Sequence, residues 1–169
     1  MSRLGWLVLS GACVLGVGAA RADTVIMTAR GAKGEIKGGL TQKGREGAMQ
    51  CLQFETEVSA PVDVASGRAT GKRQHKPIRC AKRVDSASTQ LLNALLKGEA
   101  LPEVTFKVFA ADRAGRELQT YTIALKNASI TGIKQSLDAS GALIEEVTLV
   151  YASITYTWED GKTSATDTR

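Results

Sequence analysis

The sequence has few of the side chains that usually carry chemistry. Its 169 residues include one histidine and three cysteines, and 5% of them are aromatic. One histidine and separated cysteines cannot complete a four-ligand zinc site without carboxylates from positions that no motif marks. Any Ser–His–Asp triad would have to use His75 with Ser66 and Asp63, but triad members normally converge from separated segments. We therefore predict no metal site, no cofactor, no catalytic site and no enzymatic activity.

Net charge is also small. The formal charge is +5, and leaving out Arg3 and Arg21 of the leader described below gives 20 cations against 17 anions, a net +3. Such a mild excess does not by itself indicate nucleic acid or an anionic membrane as partner. A single-strand binding groove would interleave aromatic residues with its cations, and the most basic stretch has no aromatic residue. No nucleic-acid partner is predicted.

The first 22 residues are typical of an export signal. Arg3 precedes the uncharged stretch "LGWLVLSGACVLGVGAA", and "ARA" supplies the small residues that a signal peptidase requires. The apolar run is about 17 residues long and is interrupted by glycines, which makes it marginal for a membrane span. We expect cleavage after Ala22, an exported periplasmic or secreted protein, and no stable membrane insertion afterwards. An uncleaved anchor is the alternative.

Two cysteines, Cys51 and Cys80, follow the leader. In an oxidising compartment they could form a disulfide. Two buried thiols that pack as small apolar side chains are an equal alternative. Pairing depends on the strand register, and the sequence does not fix which face Cys51 takes, so both alternatives stay open.

The rest of the chain alternates mostly with period two, which predicts strands. In "MQCLQFETEV" the alternation places Leu52, Phe54 and Val58 on one, buried face. Only "SASTQLLNALLKGE" has helical spacing, with Ser86 or Ser88 as N-cap and Gly98 as the stop. Strand-predicting runs lie near residues 24–30, 34–39, 49–58, 78–84, 103–111, 118–136 and 143–158.

Six or seven strands joined mostly by hairpins predict a mainly β fold. We expect an antiparallel β-barrel, or a sandwich, with one attached α-helix. A single domain would span residues 23–160, followed by a flexible polar tail at residues 161–169.

The stretch "SGRATGKRQHKP", residues 66–77, contains four cations and the only histidine of the sequence. Its glycines and lysine suggest a phosphate-binding loop, but three residues rather than four separate Gly67 from Gly71. Arg73 follows Lys72 where a Ser or Thr is required, and the loop joins two strands instead of a strand and a helix. The stretch is therefore either a loop that docks onto another protein or a merely solvated loop.

The residues of this region resemble a known family. "PVDVASGRATGKRQHKPIRCAKRVDSASTQLLNALLKGEALPEV" is similar to the haemolysin-coregulated protein (Hcp) family, the tube protein of bacterial type VI secretion systems. The similarity continues in "YTIALKNASITGI" and "LIEEVTLVYASITYTWEDG". The resemblance implies a β-barrel with an attached helix. It also implies hexameric rings that stack head to tail into a tube, which a contractile sheath propels behind a spike.

The family's extended loop corresponds to residues 61–77 and is implicated in contacts between stacked rings. The resemblance therefore implies a ring-stacking role for five loop residues: Arg68, Lys72, Arg73, His75 and Lys76. The implied partners are further copies of the chain, sheath and spike proteins, and small protein effectors in the ring lumen. A leader is unusual for a subunit assembled in the cytoplasm, so an exported binding or regulatory protein outside the tube is the alternative function. Cytoplasmic assembly applies if the leader is not used.

Overall fold

The fold is described for residues 23–169 in a computed structural model, and the predicted export signal at residues 1–22 lies outside the described residues. Within the described part, no helix is long and apolar enough to span a bilayer. The elements are β1 Thr24–Gly31, β2 Gly34–Ile36, β3 Met49–Glu55, β4 Val58–Ser59, β5 Gln74–His75, β6 Ile78–Arg83, α1 Ser88–Lys97, β7 Ala100–Ala111, β8 Glu117–Leu137, β9 Leu143–Val150, β10 Ser153–Trp158 and β11 Thr163–Thr168.

Six antiparallel strands close into a barrel. They follow the order β8-β7-β1-β3-β6-β9, and β9 pairs back onto β8. Alternate residues point inward, and Met27, Phe106 and Leu125 are fully buried. Helix α1 packs on the barrel through Leu91 and Ala94 of its apolar face. The predicted mainly β fold with an attached helix is confirmed.

The closure depends on β8, which is 21 residues long. Its first part pairs with β7 and β10, and its second part, from Ser129 to Leu137, pairs with β9. Between the two parts, Asn127 has a positive φ of 48°, a left-handed conformation that asparagine tolerates better than most residues. β8 therefore changes direction at Asn127 and belongs to both walls of the barrel.

The helix begins differently from the sequence prediction. Ser86 and Ser88 were both wrong as N-caps: the residue before the helix is Ala87, which makes no side-chain cap. Instead, the Asp85 carboxylate accepts from the Ala87 N–H at 2.9 Å, and the Ser88 hydroxyl accepts from the Asp85 N–H at 2.9 Å. This exchange satisfies free amide groups reciprocally, as a capping box does. Gly98, with φ 61°, ends the helix as predicted.

A β-bulge in β3 reverses one prediction about the buried face. The register with β6 shifts between Cys51 and Gln53. The extra residue turns Leu52 outward, where it is 46% exposed, while Met49 and Cys51 face the core. Strict alternation, which placed Leu52 on the buried face with Phe54, does not account for a bulge.

The inward orientation of Cys51 brings it to Cys80 on the neighbouring strand. The two Cα atoms are 5.5 Å apart and the sulfurs are joined at 2.09 Å as a disulfide. The bond links β3 to β6, the two strands that lead into and out of residues 56–77. It therefore closes the base of that loop covalently.

A buried ion pair holds the start of the helix on the barrel. Lys82 of β6 and Glu145 of β9 are both almost fully buried, with Nζ 2.9 Å from Oε1. Lys82 Nζ also donates to Asp85 Oδ1 at 2.7 Å, and the Ser88 hydroxyl donates to Glu145 Oε1 at 2.7 Å. Asp85 and Ser88, which cap the helix, therefore also bond to the buried Lys82–Glu145 pair.

The C-terminal region differs from the sequence prediction in two ways. Residues 143–158 form two strands instead of one, with a break at Tyr151 and Ala152 between β9 and β10. Residues 163–168, expected to be part of a flexible tail, form β11, which pairs with β10 along its whole length. The break arises because β9 pairs with the second part of β8 and β10 with the first.

We predict that removing the disulfide destabilises the fold without changing it. A closed loop of this size, with a sequence separation of 29, restricts the unfolded chain by about 3–4 kcal/mol in the chain-entropy treatment. Chemical denaturation of the oxidised and reduced protein measures the difference. The Cys51→Ala/Cys80→Ala variant is the control and should not respond to reductant. Equal unfolding free energies for the oxidised and reduced forms would contradict a stabilising bond.

We also predict that Lys82→Met lowers the free energy of unfolding by about 3–5 kcal/mol, because it leaves the Glu145 carboxylate buried without its cation. Adding Glu145→Leu should recover part of the loss, since the double variant buries no unpaired charge. Lys126→Met, which breaks an exposed pair with Glu103, should change stability little. A single variant as stable as the native protein would argue against this assignment.

Candidate functional site

The candidate site is the whole connection between β3 and β6, residues 56–77. It contains the stretch 61–77 identified from the sequence, and it is called the extended loop from here on. Its two arms form a short ribbon: β4 pairs with β5, with Val58 opposite His75 and Ser59 opposite Gln74. Further out, Val62 and Ala69 form an isolated antiparallel bridge. β4 and β5 make a separate two-stranded sheet rather than joining the barrel. The loop therefore projects from the barrel as a structured hairpin.

The tip of the loop is an internally bonded turn. The Asp63 carboxylate accepts from the N–H groups of Ala65 and Ser66, both at 2.8 Å. The bonds from Ser66, followed by the one from Ala65, lower the pKa of Asp63. Gly67, with φ 65°, donates its N–H to the Asp63 carbonyl at 2.8 Å. These amides are already occupied, so they do not form a cradle for phosphate.

The four cations and the one histidine predicted for ring stacking differ in their contacts. Arg68 and Lys72 are exposed, and within residues 23–169 neither side chain forms an ion pair or a hydrogen bond. Lys76 is exposed but pairs with Glu57 at 2.8 Å across the ribbon. Arg73 and His75 bond to the C-terminal strand. The structure thus leaves two of these side chains free to contact another molecule.

His75 lies in a buried position at the base of the loop. Its Nδ1 is 3.0 Å from the Tyr151 hydroxyl, and its Nε2 is 3.1 Å from Asp167 Oδ2. The side chain is 2% exposed. Both ring nitrogens therefore have partners, and neither partner is the Ser66 or Asp63 considered from the sequence. The imidazole has the role of a hydrogen-bonded contact where the loop rejoins the barrel.

Asp167 connects the loop to β11. Arg73 donates to both of its carboxylate oxygens, with Nη2 2.8 Å from Oδ1. The hydrogen bond and charge of Arg73 are the main cause of the lowered pKa of Asp167, with a smaller contribution from His75. Arg169 Nη2 donates to the His75 carbonyl at 2.7 Å. The basic side of the loop thus meets a carboxylate on the last strand.

Sequence reasoning missed Tyr151, Asp167 and Arg169 as members of this site. The polar composition after Trp158 had suggested a loose tail. One signal was present: Asp160-Gly161 between a strand pattern and "TSATDT" is typical of a hairpin turn. The alternation of β11 would then have singled out Asp167, the only residue of β11 that is not exposed.

The described residues do not group into a metal site. Within residues 23–169, no cluster of three or more His, Cys, Asp or Glu side chains could hold a metal ion. Large apolar side chains are exposed instead, on the barrel wall, the helix and the last hairpins. They are Leu52, Val58, Val62, Val64, Val84, Leu92, Leu96, Leu118, Leu137, Leu143 and Trp158.

Comparison with known sequences identifies relatives of the chain. The family described as "Type VI secretion system effector, Hcp" matches residues 27–158. A curated relative, the "Major exported protein" of Pseudomonas aeruginosa, is 36% identical over 137 residues, which cover 77% of this chain and 80% of the relative.

Solved structures share the fold over most of the described residues. The Hcp1 protein of the E. coli EAEC 042 pathovar superposes with a TM-score of 0.79 at 29% identity, covering 87% of this chain and 99% of that structure. The secreted protein Hcp3 of Pseudomonas aeruginosa has a TM-score of 0.72 at 29% identity, with coverage of 87% and 98%.

The buried phenol next to His75 predicts a dependence of stability on alkaline pH. Burial, followed by the charge of Tyr156, raises the pKa of Tyr151 from 10.0 to about 12. Because this folded-state pKa lies above the unfolded value, the contribution of Tyr151 is fully present below pH 10 and is lost as pH rises through about 12. Unfolding free energies measured across this range should fall more steeply for the native protein than for Tyr151→Phe. Parallel curves for the two proteins would contradict the raised pKa.

Proposed function

Because the chain belongs to the Hcp family of type VI secretion system proteins, we propose that it forms rings that stack into the secreted tube of such a system. The observation that carries this proposal is the extended loop: an ordered hairpin that leaves the barrel and carries Arg68 and Lys72, two cations with no partner among the described residues. A loop of this form is suited to contact a neighbouring molecule.

The proposed assembly requires two kinds of contact. Within a ring, one side of the barrel contacts a different side of the next copy. If the rotation from copy to copy returns to the first subunit after six copies, the result is the hexamer that the family resemblance implies. The exposed apolar residues on α1 and on the barrel wall, such as Leu92, Leu96 and Leu143, supply surface for this contact. Between rings, the extended loop reaches a surface elsewhere on the next copy. Such a heterologous contact does not close, so it continues as a filament.

The stacking contact rests on Arg68, Lys72 and the apolar tip of the loop. Val64 is 99% exposed at the turn, and both cations follow it on the returning side of the loop. A single exposed ion pair stabilises an interface little. Every subunit of a ring contributes one loop, however, so the contacts act together and give strong stacking from weak individual pairs.

We propose no enzymatic role for the chain. Both nitrogens of the only histidine have partners, and the family to which the chain belongs consists of structural, secreted proteins. Sheath and spike proteins, and small effectors inside the ring, are proposed partners by analogy with the family.

A second candidate function is an exported binding or regulatory protein that acts outside the tube. The observation that favours it is the Cys51–Cys80 disulfide, because disulfides persist in the periplasm and outside the cell but are rare in the cytoplasm. The predicted leader agrees with it. The two candidates differ in assembly: light scattering near the mass of a hexamer supports the tube, whereas a monodisperse monomer at high concentration supports the alternative.

We predict that the charge reversal Arg68→Glu/Lys72→Glu abolishes stacking but leaves single rings. The reason is that these cations face outward and contribute nothing to the fold of the subunit. Electron microscopy of the purified protein distinguishes rings from tubes, and light scattering gives the ring mass. Lys33→Glu/Lys43→Glu, which changes as much charge at exposed positions outside the loop and outside α1, is the matched control. Tubes of normal length from the loop variant would show that the loop is only solvated surface.

A further inference from the structure

Few contacts attach the extended loop to the rest of the molecule. Its strands β4 and β5 pair with each other and not with the barrel. A cleft of about 740 Å³ separates the outer loop, at Ala60, Ala69 and Gly71, from the end of the chain at Thr168 and Arg169. The direction in which the loop projects is therefore set by side chains that cross to β10 and β11. The Thr56 hydroxyl is 3.1 Å from the Tyr156 hydroxyl on β10, and Arg73 and His75 reach β11 from the returning arm.

Asp167 provides most of these crossing contacts. Along β11 it is the residue that turns away from solvent, opposite Ile154 of β10. One carboxylate binds Arg73 through two hydrogen bonds and His75 through a third. Two-point binding of a guanidinium fixes its orientation as well as its distance. Asp167 therefore fixes both the residue that enters β5 and the last residue of β5.

His75 is held from both sides. The Tyr151 hydroxyl, at the break between β9 and β10, bonds to Nδ1, while Asp167 on β11 bonds to Nε2. Arg169 adds a third contact through the His75 carbonyl. The imidazole thus lies between the barrel and the last strand, so β11 holds this arm of the loop against the barrel.

We propose that β11 is a C-terminal latch that sets the direction of the extended loop, with Asp167 as its positioning residue. Asp167 does not itself touch the neighbouring ring; it acts through Arg73 and His75 and so determines where Arg68 and Lys72 point. The use of the loop in stacking rests on the proposed function. The attachment of the loop by Asp167 concerns one subunit and can be tested alone.

The test compares three substitutions in the full chain. Asp167→Asn removes the charge and leaves one acceptor for two donors, so it should release the loop. Asp167→Glu keeps the carboxylate and should restore most of the attachment. Asp160→Asn removes the same charge from an exposed residue of the β10–β11 turn and is the control. Because β11 pairs with β10 along its length, none of these changes is expected to unfold the strand.

Two measurements separate the latch from its consequence. Limited trypsin cleavage after Arg68 and Lys72, which are exposed in every variant, reports the mobility of the loop rather than the release of Arg73. We expect Asp167→Asn to raise the cleavage rate about fivefold or more, the factor that corresponds to losing a typical interaction, and Asp167→Glu and Asp160→Asn to stay near the native rate. Electron microscopy should show Asp167→Asn as rings with few stacks.

Equal cleavage rates for Asp167→Asn and Asp160→Asn would overturn the latch, whatever the assembly. Faster cleavage with normal tubes would overturn its role in stacking. If the native protein forms no rings, the proposed function fails, and the cleavage rates alone decide whether Asp167 holds the loop.

Discussion

The barrel closes only because β8 is long enough to pair with β7 through its first part and with β9 through its second. Near Asn127 the partner of β8 changes. The part before it pairs with β7, and the part after it pairs with β9. The same division separates β9 from β10, since each follows a different part of β8. β10 is left outside the barrel with its outer edge free, and β11 occupies that edge. The position of the last strand beside the extended loop is thus a consequence of barrel closure.

The sequence predicted the elements better than their details. Period-two alternation and the leucine spacing of "QLLNALL" reflect burial on one face, a local property, and they predicted α1 and most of the barrel strands. They did not predict β4, β5 and β11, or the division of residues 143–158 into β9 and β10. The bulge at Leu52 and the cap by Asp85 depend on partners in β6 and in the helix turn. Such partners are chosen by the tertiary structure, so neither feature can be read from spacing alone.

The roles within the candidate site were harder to predict for the same reason. The basic loop was visible as composition, but Arg73 and Asp167 are 94 residues apart in the chain. Only the fold shows that Arg73 and His75 are attached to β11 while Arg68 and Lys72 remain free. The disulfide was also hard to predict from the sequence. Its formation requires the Cys51 side chain to face inward, and the phase of β3 changes at the bulge that follows Cys51.

A loop that contacts another subunit has to be exposed and yet ordered beforehand, because ordering it on association would subtract from the binding free energy. The chain meets both requirements by fixing the loop at three positions along its length. The disulfide holds its two ends together, Asp167 holds the returning arm, and Asp63 closes the turn at the tip. The polar groups in these anchors are bonded within the subunit. Arg68, Lys72 and Val64 are among the side chains that this arrangement leaves outward and unbonded within the described part of the chain, so we expect specificity for the neighbour to depend on them.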